Sequence, residues 1–160
     1  MNRRQFISGA ISATAASSIA AQQPPGGSPT RPNIVFILAD DLGYPDLGCY
    51  GGRSDCSPNL DKMAEEGMMF SRGYANSSVC SPSRFAIITG RYQHRLRGGF
   101  DEPIAAAREE LGLPPEHPTM PSLLRDAGYA TALVGKWHLG FFPWFGPLKS
   151  GYQEFFGHRS

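Results

Sequence analysis

Residues Val79–Arg91 read VCSPSRFAIITGR and combine a helix signal with chemically reactive side chains. Cys80, Pro82 and Arg84 form a Cys-x-Pro-x-Arg pattern, which is followed by an apolar run and by Thr89-Gly90-Arg91. Proline suits the first turn of a helix, where a missing N–H breaks no hydrogen bond, and glycine suits the end of a helix. The stretch therefore predicts a helix that begins near its cysteine and ends at its Thr-Gly pair.

The predicted helix places a cysteine at its positively charged end. We predict Cys80 or Ser81 as the N-cap residue, with Arg84 one turn further on. The helix dipole stabilises anions at this end, and the Arg84 guanidinium adds a second positive charge. A lone cysteine is more often a small buried apolar residue, and a lone arginine a surface ion-pair partner, so both alternatives stay open on this pattern alone. The apolar face of the helix is expected to comprise Phe85, Ile87 and Ile88.

A pair of carboxylates follows a second apolar run. Residues Asn33–Ala39 read NIVFILA, which predicts a buried parallel strand, and Asp40-Asp41 comes directly after it. Ligands of open α/β sheets bind at the carboxyl ends of the strands. Two adjacent carboxylates there offer hard oxygen ligands for Ca²⁺ or Mg²⁺, and a turn held by Asx hydrogen bonds is the alternative. Asp46 is predicted to structure the following loop.

A lysine and a histidine follow another predicted strand. Residues Tyr129–Val134 are predicted to form that strand, and Gly135–Gly140 continues as GKWHLG. If the strand extends, alternation puts Lys136 and His138 on one side. Together they can bind a tetrahedral oxyanion and move a proton. Trp137 is predicted to pack.

The other predicted elements are typical of an α/β protein. A short helix is predicted from Ser57 to Gly67, with Leu60, Met63 and Ala64 facing inward, and a strand is predicted at Met69–Ala75. A second helix is predicted at Met120–Ala127, capped by Thr119, with Leu123, Leu124 and Ala127 toward the core. The remaining elements are a possible short helix around Ile104 to Leu111 and a packing turn at Gly151–Gly157. His94 and His117 are predicted to be loop residues rather than ligands.

Composition narrows the possible fold classes and binding partners. The chain has 160 residues, about one domain, and its 15 basic and 14 acidic residues give a net charge of +1. Such a balance predicts no nucleic-acid partner. The 19 glycines and 14 prolines favour a loop-rich α/β protein over a helical bundle. Three cysteines do not form a disulfide framework, so Cys49 and Cys56 are predicted to be ordinary thiols, with pairing as the alternative.

The N-terminal residues resemble an export signal. Residues 1–21 contain Arg3-Arg4 followed by a mildly apolar Ala/Ser-rich stretch, which is typical of a twin-arginine signal peptide and too weak for a membrane anchor. A basic tail is the alternative. Residues 22–32 are predicted to be a Pro/Gly linker. Export by the twin-arginine translocase predicts a periplasmic or extracellular bacterial protein.

Four ordered motifs between Arg31 and Gly157 resemble the type I sulfatases of the alkaline-phosphatase-like superfamily. They are NIVFILADDLGYPDLGCYGG, CSPSR with TGR, GKWHLG and GYQEFFG. The resemblance implies an α/β sandwich with a mostly parallel central sheet. Residues 33–160 are expected to be only the N-terminal part of that catalytic domain.

The resemblance also implies a modified nucleophile. Cys80 would be oxidised by a formylglycine-generating enzyme, and one oxygen of the hydrated aldehyde would attack a sulfate ester. Arg84 would hold a hydroxyl, Lys136 would bind sulfate and the formylglycine, and His138 would hydrogen-bond the formylglycine hydroxyl.

The metal site implied by the resemblance has three ligands in this stretch. Asp40, Asp41 and the modified Cys80 would bind a divalent cation, with Ca²⁺ expected and Mg²⁺ as the alternative. The family supplies further ligands and sulfate-binding residues later in its domain. We therefore expect little sulfatase activity from these 160 residues alone.

Three functions remain to be distinguished. The first is sulfate ester hydrolysis, with sulfated carbohydrate as the expected substrate by family analogy. The second is phosphonate monoester or phosphodiester hydrolysis, which shares the nucleophile motif. The third is a non-catalytic exported relic domain in which Cys80 stays a thiol.

Overall fold

The structure is a computed structural model that describes residues 31–53, 55–99 and 111–158. The predicted signal peptide, residues 22–30 of the linker and residues 104–110 of the possible short helix lie outside these ranges. None of the helices in the described ranges is long and apolar enough to span a membrane.

The chain divides into two compact units, residues 1–38 and residues 39–160. The described part of the first unit has no helix or strand, and its apolar side chains are largely exposed, with Val35 82% and Ile37 72% accessible. The predicted buried strand at Asn33–Ala39 is therefore wrong for this structure. Such a strand needs a hydrogen-bonded neighbour at each edge and a layer on each face, whereas the two strands of the described residues pair only with each other.

The described part of the second unit contains three helices and two strands. They are α1 (Pro58–Glu66), α2 (Cys80–Thr89), α3 (Met120–Asp126), β1 (Ala132–Lys136) and β2 (Glu154–His158). Short 3₁₀ turns lie between them, at Tyr44–Asp46, Gly48–Tyr50, Gln93–Arg95, Arg97–Gly99 and Pro147–Ser150.

The two strands form a parallel pair. Leu133 lies opposite Phe155 at the centre of the register. These two side chains are half-buried, while Val134 and Phe156 on the other face are 77% and 80% exposed. This alternation is typical of a sheet that is covered on one face only. Strand β1 is therefore only partly buried.

The ends of these strands also differ from the prediction. β1 begins at Ala132, three residues after the predicted start at Tyr129, and extends to Lys136. Residues Gly151–Gly157 do not form only a packing turn, because the second half of that stretch enters β2. The backbone of Gly157 lies directly against Gly135 of β1, where a Cβ atom would come within 1.9 Å of the Gly135 carbonyl oxygen. The close approach of the two backbones explains the glycine at this position.

Helix α2 carries the centre of the hydrophobic core. Phe85 is fully buried and lies among large apolar side chains from the loops on either side of β1. Trp137 is 2% exposed and makes an edge-on contact with Tyr152, with ring centroids 6.4 Å apart, which confirms its predicted packing role. The buried cluster comprises Phe85, Ile88, Leu111, Leu113, Trp137 and Leu139.

The ends of the helices were predicted from the sequence more accurately than the faces that they bury. Thr119 caps α3: the Ser122 N–H donates to Thr119 Oγ1 over 3.1 Å, and the Thr119 hydroxyl donates to the Ser150 carbonyl over 2.5 Å. Of the side chains predicted to face inward, Ala64 and Leu124 are half-buried and the others are exposed, because no described element covers these faces. The exposed fractions are 41% for Leu60, 61% for Met63 and 62% for Leu123.

The loop after the carboxylate pair is held by side chains. Asp46 Oδ2 accepts the Gly43 N–H over 2.6 Å, which confirms the predicted role of Asp46. Further on, Asp61 of α1 accepts the Cys49 N–H over 2.7 Å. Cys49 and Cys56 are both free thiols, as predicted.

The predicted strand at Met69–Ala75 does not form. This stretch contains a turn at Ser71 and Arg72, and Tyr74 is 85% exposed. The Tyr50 hydroxyl donates to the Phe70 carbonyl over 3.1 Å, so side chains rather than a neighbouring strand bind its backbone. A run of β-favouring residues stays irregular when no strand pairs with it.

Candidate active site

Helix α2 begins at Cys80, which places this half-buried side chain at the positive end of a ten-residue helix. The N-cap is Val79, whose carbonyl accepts the Ser83 N–H over 3.2 Å. The predicted cap, Cys80 or Ser81, was therefore wrong by one or two positions. Pro82 lies in the first turn as predicted, because its missing N–H has no acceptor there.

Arg84 lies one turn after Cys80 and connects three parts of the unit. Its Nη1 donates to the Lys136 carbonyl over 2.9 Å, and its Nη2 donates to Asp40 Oδ1 over 3.2 Å. The Arg84 side chain is 12% exposed and that of Asp40 is 42% exposed, so water reaches this charge-assisted bond from the carboxylate side. Arg84 therefore ties α2 both to the end of β1 and to the carboxylate pair.

Asp40 is bound by two cationic side chains. Lys136 Nζ donates to Asp40 Oδ2 over 2.9 Å, while Arg84 holds the other carboxylate oxygen. The hydrogen bond from Lys136, assisted by those from Arg84 and Cys80, lowers the pKa of Asp40 from 3.8 to about 2, although partial burial opposes the shift. The same bond from Asp40 is the main reason that the pKa of Lys136 is raised. Asp40 is thus a carboxylate, and Lys136 an ammonium, across the neutral range.

Asp40 is expected to titrate well below an ordinary aspartate. Because its folded pKa is lowered, its contribution to stability is complete above pH 3.8 and is lost as the pH falls through about 2. Replacing Lys136 by Met removes the main cause, so the pKa of Asp40 should rise toward 3.8. Carboxyl ¹³C NMR titration of the two proteins measures this shift.

Lys149→Met is the control for this titration, because Lys149 Nζ donates to the Trp144 carbonyl over 3.3 Å and has no bond to Asp40. It should leave the Asp40 titration curve unchanged. An unchanged curve in Lys136→Met would show that the Lys136–Asp40 bond does not exist in solution.

Three possible metal ligands lie together beside this pair of cations. One ligand atom each from Asp40, Asp41 and Cys80 lies within 4.8 Å of the others. The carboxylate oxygens suit a hard divalent cation such as Ca²⁺ or Mg²⁺, whereas a thiolate is a soft ligand that suits neither. The three positions therefore fit such a cation only when an oxygen replaces the sulfur of residue 80.

Two residues next to these side chains have unusual backbones. Among the described residues other than glycine, only Asp41 and His138 have a positive φ, at 60° and 56°. This left-handed conformation costs about 1–2 kcal/mol in a non-glycine residue and is often found at functional sites. β1 ends at Lys136, so the alternation that was expected to align Lys136 with His138 does not continue to the half-buried His138.

A cavity among the described residues lies elsewhere. It has a volume of about 570 Å³ and lies at the C-terminal end of α2, about 15 Å along the helix axis from Cys80. His94 and His117, which were predicted to be loop residues rather than ligands, are not in the cluster of possible ligands. Residues lining the cavity are Asn76, Ala86, Gly90, Arg91, Tyr92 and Arg95.

Comparison with known families assigns the chain. The family model described as Sulfatase matches residues 32–160, which contain all the side chains of the site. The chain belongs to the sulfatase family. It is therefore related to sulfuric ester hydrolases, as its motifs predicted.

Curated sulfatases from animals and bacteria match the same part of the chain. N-acetylgalactosamine-6-sulfatase of Sus scrofa is 50% identical over 139 residues, which cover 82% of this chain and 26% of that protein. N-acetylgalactosamine-6-O-sulfatase of Bacteroides thetaiotaomicron is 41% identical over 137 residues, covering 86% and 25%. This chain of the sulfatase family thus spans about a quarter of the length of these relatives.

Solved structures show the same fold. The crystal structure of Ps i-CgsB superposes with a TM-score of 0.71 at 37% identity and covers 77% of this chain and 27% of its own. Its complex with k-i-k-neocarrahexaose superposes with a TM-score of 0.70 at 36% identity, covering 76% and 27%. The fold of this sulfatase chain is alkaline-phosphatase-like α/β, with the N-terminal part described, and its parallel pair β1–β2 belongs to that architecture.

The structure brings together five of the six site residues predicted from the sequence of this sulfatase. Two contacts had no sequence signal: the Arg84–Asp40 pair, 44 residues apart, and the bond from Arg84 to the Lys136 carbonyl, 52 residues apart. The five residues are Asp40, Asp41, Cys80, Arg84 and Lys136, and His138 follows the last of them by two positions.

Proposed function

We propose that this chain carries the nucleophile and part of the metal site of a formylglycine-dependent sulfatase. The observation that carries the proposal is the position of Cys80: it lies at the start of α2, with Asp40 and Asp41 within 4.8 Å of its sulfur and with the Lys136 ammonium on Asp40. A nucleophile at this place has carboxylates for a cation on one side and positive charges for a sulfate group on the other.

The nucleophile requires a maturation step. The Cys80 thiol and one water become an aldehyde, hydrogen sulfide, two protons and two electrons, and the electrons pass to dioxygen or another acceptor used by a formylglycine-generating enzyme. The C–S bond breaks and a C=O bond forms. The oxygen that replaces sulfur gives residue 80 the hard donor that the carboxylates on either side require.

The hydrated aldehyde then transfers sulfate in two steps. One hydroxyl oxygen attacks the sulfur of the ester, the bond from sulfur to the ester oxygen breaks, and the alcohol leaves with a proton. The second hydroxyl then loses its proton, the C=O bond reforms, and the C–O bond to sulfate breaks. Arg84 and Lys136 stabilise the negative charge of the sulfate group and the hydroxyl, and His138 accepts a hydrogen bond from the hydroxyl that deprotonates.

Asp40, Asp41 and the oxygenated residue 80 would hold a divalent cation, with Ca²⁺ as our proposal and Mg²⁺ as the alternative. When bound, such an ion favours the ionised form of a hydroxyl. The remaining stabilisation at this position comes from the backbone N–H groups at the start of α2.

Sulfated carbohydrate is the proposed substrate class. The relatives named above are N-acetylgalactosamine-6-sulfatases, and one solved neighbour was crystallised with a neocarrahexaose. A substrate of this kind places a sulfate ester on an extended, water-exposed chain, which agrees with the proposed export. Residues 1–21 would act as a twin-arginine signal peptide, residues 22–32 as a linker and residues 33–160 as the start of the catalytic domain.

The full-length protein, produced together with a formylglycine-generating enzyme, tests the proposal. It is expected to hydrolyse an aryl sulfate at least about 100-fold faster than its Cys80→Ala variant, because the covalent route is absent from the variant. A paired assay with an aryl phosphodiester distinguishes the related hydrolase. Faster hydrolysis of the phosphodiester, or equal rates for the two proteins, would contradict a sulfatase function.

A further inference from the structure

The proposed function assigns Asp40 to the divalent cation and assigns Arg84 and Lys136 to the sulfate group. In the structure Asp40 binds both of these side chains. Its Oδ1 lies 3.2 Å from Arg84 Nη2 and its Oδ2 lies 2.9 Å from Lys136 Nζ, so both carboxylate oxygens contact cations. The Arg84 and Lys136 side chains are only 12% and 16% exposed. The carboxylate that would bind the divalent cation thus neutralises both groups that would bind sulfate.

We propose that Asp40 is an internal lock that makes cation binding and sulfate binding depend on each other. The inference rests on the proposed function for the identity of the two ligands. Without a cation, Asp40 holds Arg84 and Lys136 and repels a sulfate anion. A divalent cation beside Asp40 attracts the carboxylate and repels the two side chains, so their ion pairs weaken. Their positive charges then become available to a sulfate group.

Asp41 shows that the lock resides in one of the two carboxylates. It lies in the same cluster of possible ligands, yet the ion pairs of the described residues involve Asp40 and not Asp41. The two residues are adjacent, carry the same charge and differ in their contacts with Arg84 and Lys136. They therefore provide a matched pair for separating the lock from the general effect of negative charge.

The lock has a thermodynamic consequence that applies in both directions. If a divalent cation raises the affinity for sulfate by some factor, sulfate must raise the affinity for the cation by the same factor. Because two ion pairs are released together, we expect a factor of at least about ten, within the usual range for coupled sites.

Titration calorimetry on the purified chain measures both directions. Sodium sulfate is titrated with and without CaCl₂, and CaCl₂ with and without sulfate, at constant ionic strength because surface electrostatics vary with salt. Affinities that rise by the same factor support the lock. Independent affinities, or no sulfate binding in either state, would overturn it.

Two variants separate the lock from direct contact between the ligands. Asp40→Asn releases Arg84 and Lys136, so sulfate should bind without Ca²⁺ at least about tenfold more tightly than to the cation-free wild type. Asp41→Asn loses the same charge but keeps both ion pairs of Asp40, so its gain in cation-free sulfate affinity should be clearly smaller than that of Asp40→Asn. Equal gains in the two variants would show a general charge effect and overturn the proposal, as would no gain in Asp40→Asn.

A third variant covers the case in which Asp40→Asn does not fold. In Lys136→Met only the Arg84–Asp40 ion pair remains, so the factor by which sulfate changes the affinity for Ca²⁺ should fall to about threefold. Retention of the full tenfold coupling in this variant would overturn the lock. The formylglycine content of residue 80 is measured separately by mass spectrometry: conversion of Cys80 without coupling contradicts only the lock, whereas coupling without conversion contradicts only the proposed function.

Discussion

The peptide that contains Cys80 is expected to lose about 18 Da when the chain is produced together with a formylglycine-generating enzyme, because CH₂–SH becomes CHO. Conversion should be nearly complete in the wild type and absent in Cys80→Ala. We expect the maturation enzyme to act on the unfolded chain, so the result should depend on the local residues and not on the rest of the fold. Mass spectrometry of the tryptic peptide measures it directly.

The chain contains its own control for this prediction. Cys56-Ser57-Pro58 repeats the Cys-Ser-Pro of the motif and also precedes a helix, but Leu60 stands where the motif has Arg84. Cys56 should therefore keep its thiol in the same sample.

Arg84→Leu gives the Cys80 motif the leucine that the Cys56 sequence has at the same position. The variant should abolish the conversion of Cys80. The variant tests whether the maturation enzyme reads the arginine as well as the Cys-x-Pro. An unmodified Cys80 in the wild type, in a host that converts another sulfatase, would contradict the nucleophile assignment and favour a relic domain. Conversion of Cys56 would show that Cys-Ser-Pro alone is sufficient.

Phe85→Ala is expected to be the most damaging single change to stability. Phe85 is fully buried at the centre of the core and is next to Arg84 on α2, so the substitution leaves a cavity beneath the helix that carries the site. The loss should be about 3–5 kcal/mol in the free energy of unfolding, which is enough to unfold a marginally stable chain at room temperature. Urea titration followed by circular dichroism measures it.

Leu123→Ala is the matched control, because it is also a large-to-small change on a helix but at a side chain that is 62% exposed. Its effect should stay within about 0.5 kcal/mol. A loss of less than about 1 kcal/mol in Phe85→Ala would show that α2 does not pack on the core in solution, and the positions of Cys80 and Arg84 would then need revision.

Local features were predicted well because they depend on neighbouring residues. Thr119 is the cap of α3, Gly90 ends α2 in a left-handed conformation at φ 65°, and Asp46 accepts the N–H of its own loop. Each of these is decided by hydrogen bonds over three or four positions. The Cys80 cap was wrong by one position or two for a related reason: the start of a helix depends on where the preceding backbone becomes extended, and Val79 is extended.

Burial was predicted less well because it depends on what covers a residue. The apolar run at residues 33–39 and the outer face of β1 both have the composition of buried strands. In the structure Val35 and Val134 are 82% and 77% exposed, since the described sheet has two strands and a cover on one face. Hydrophobic pattern alone cannot supply the neighbours that bury it.

By itself, the sequence determined which chemical groups this protein has and the family to which it belongs. The Cys-x-Pro-x-Arg pattern, the Asp pair and the Lys-x-His pair are local and identify a sulfatase without any coordinates. Only the tertiary structure decided that Asp40 binds both Arg84 and Lys136, which are 44 and 96 residues away along the chain. Contacts at such separations form when α2 packs against the end of β1, and that packing depends on the shape and burial of the whole core.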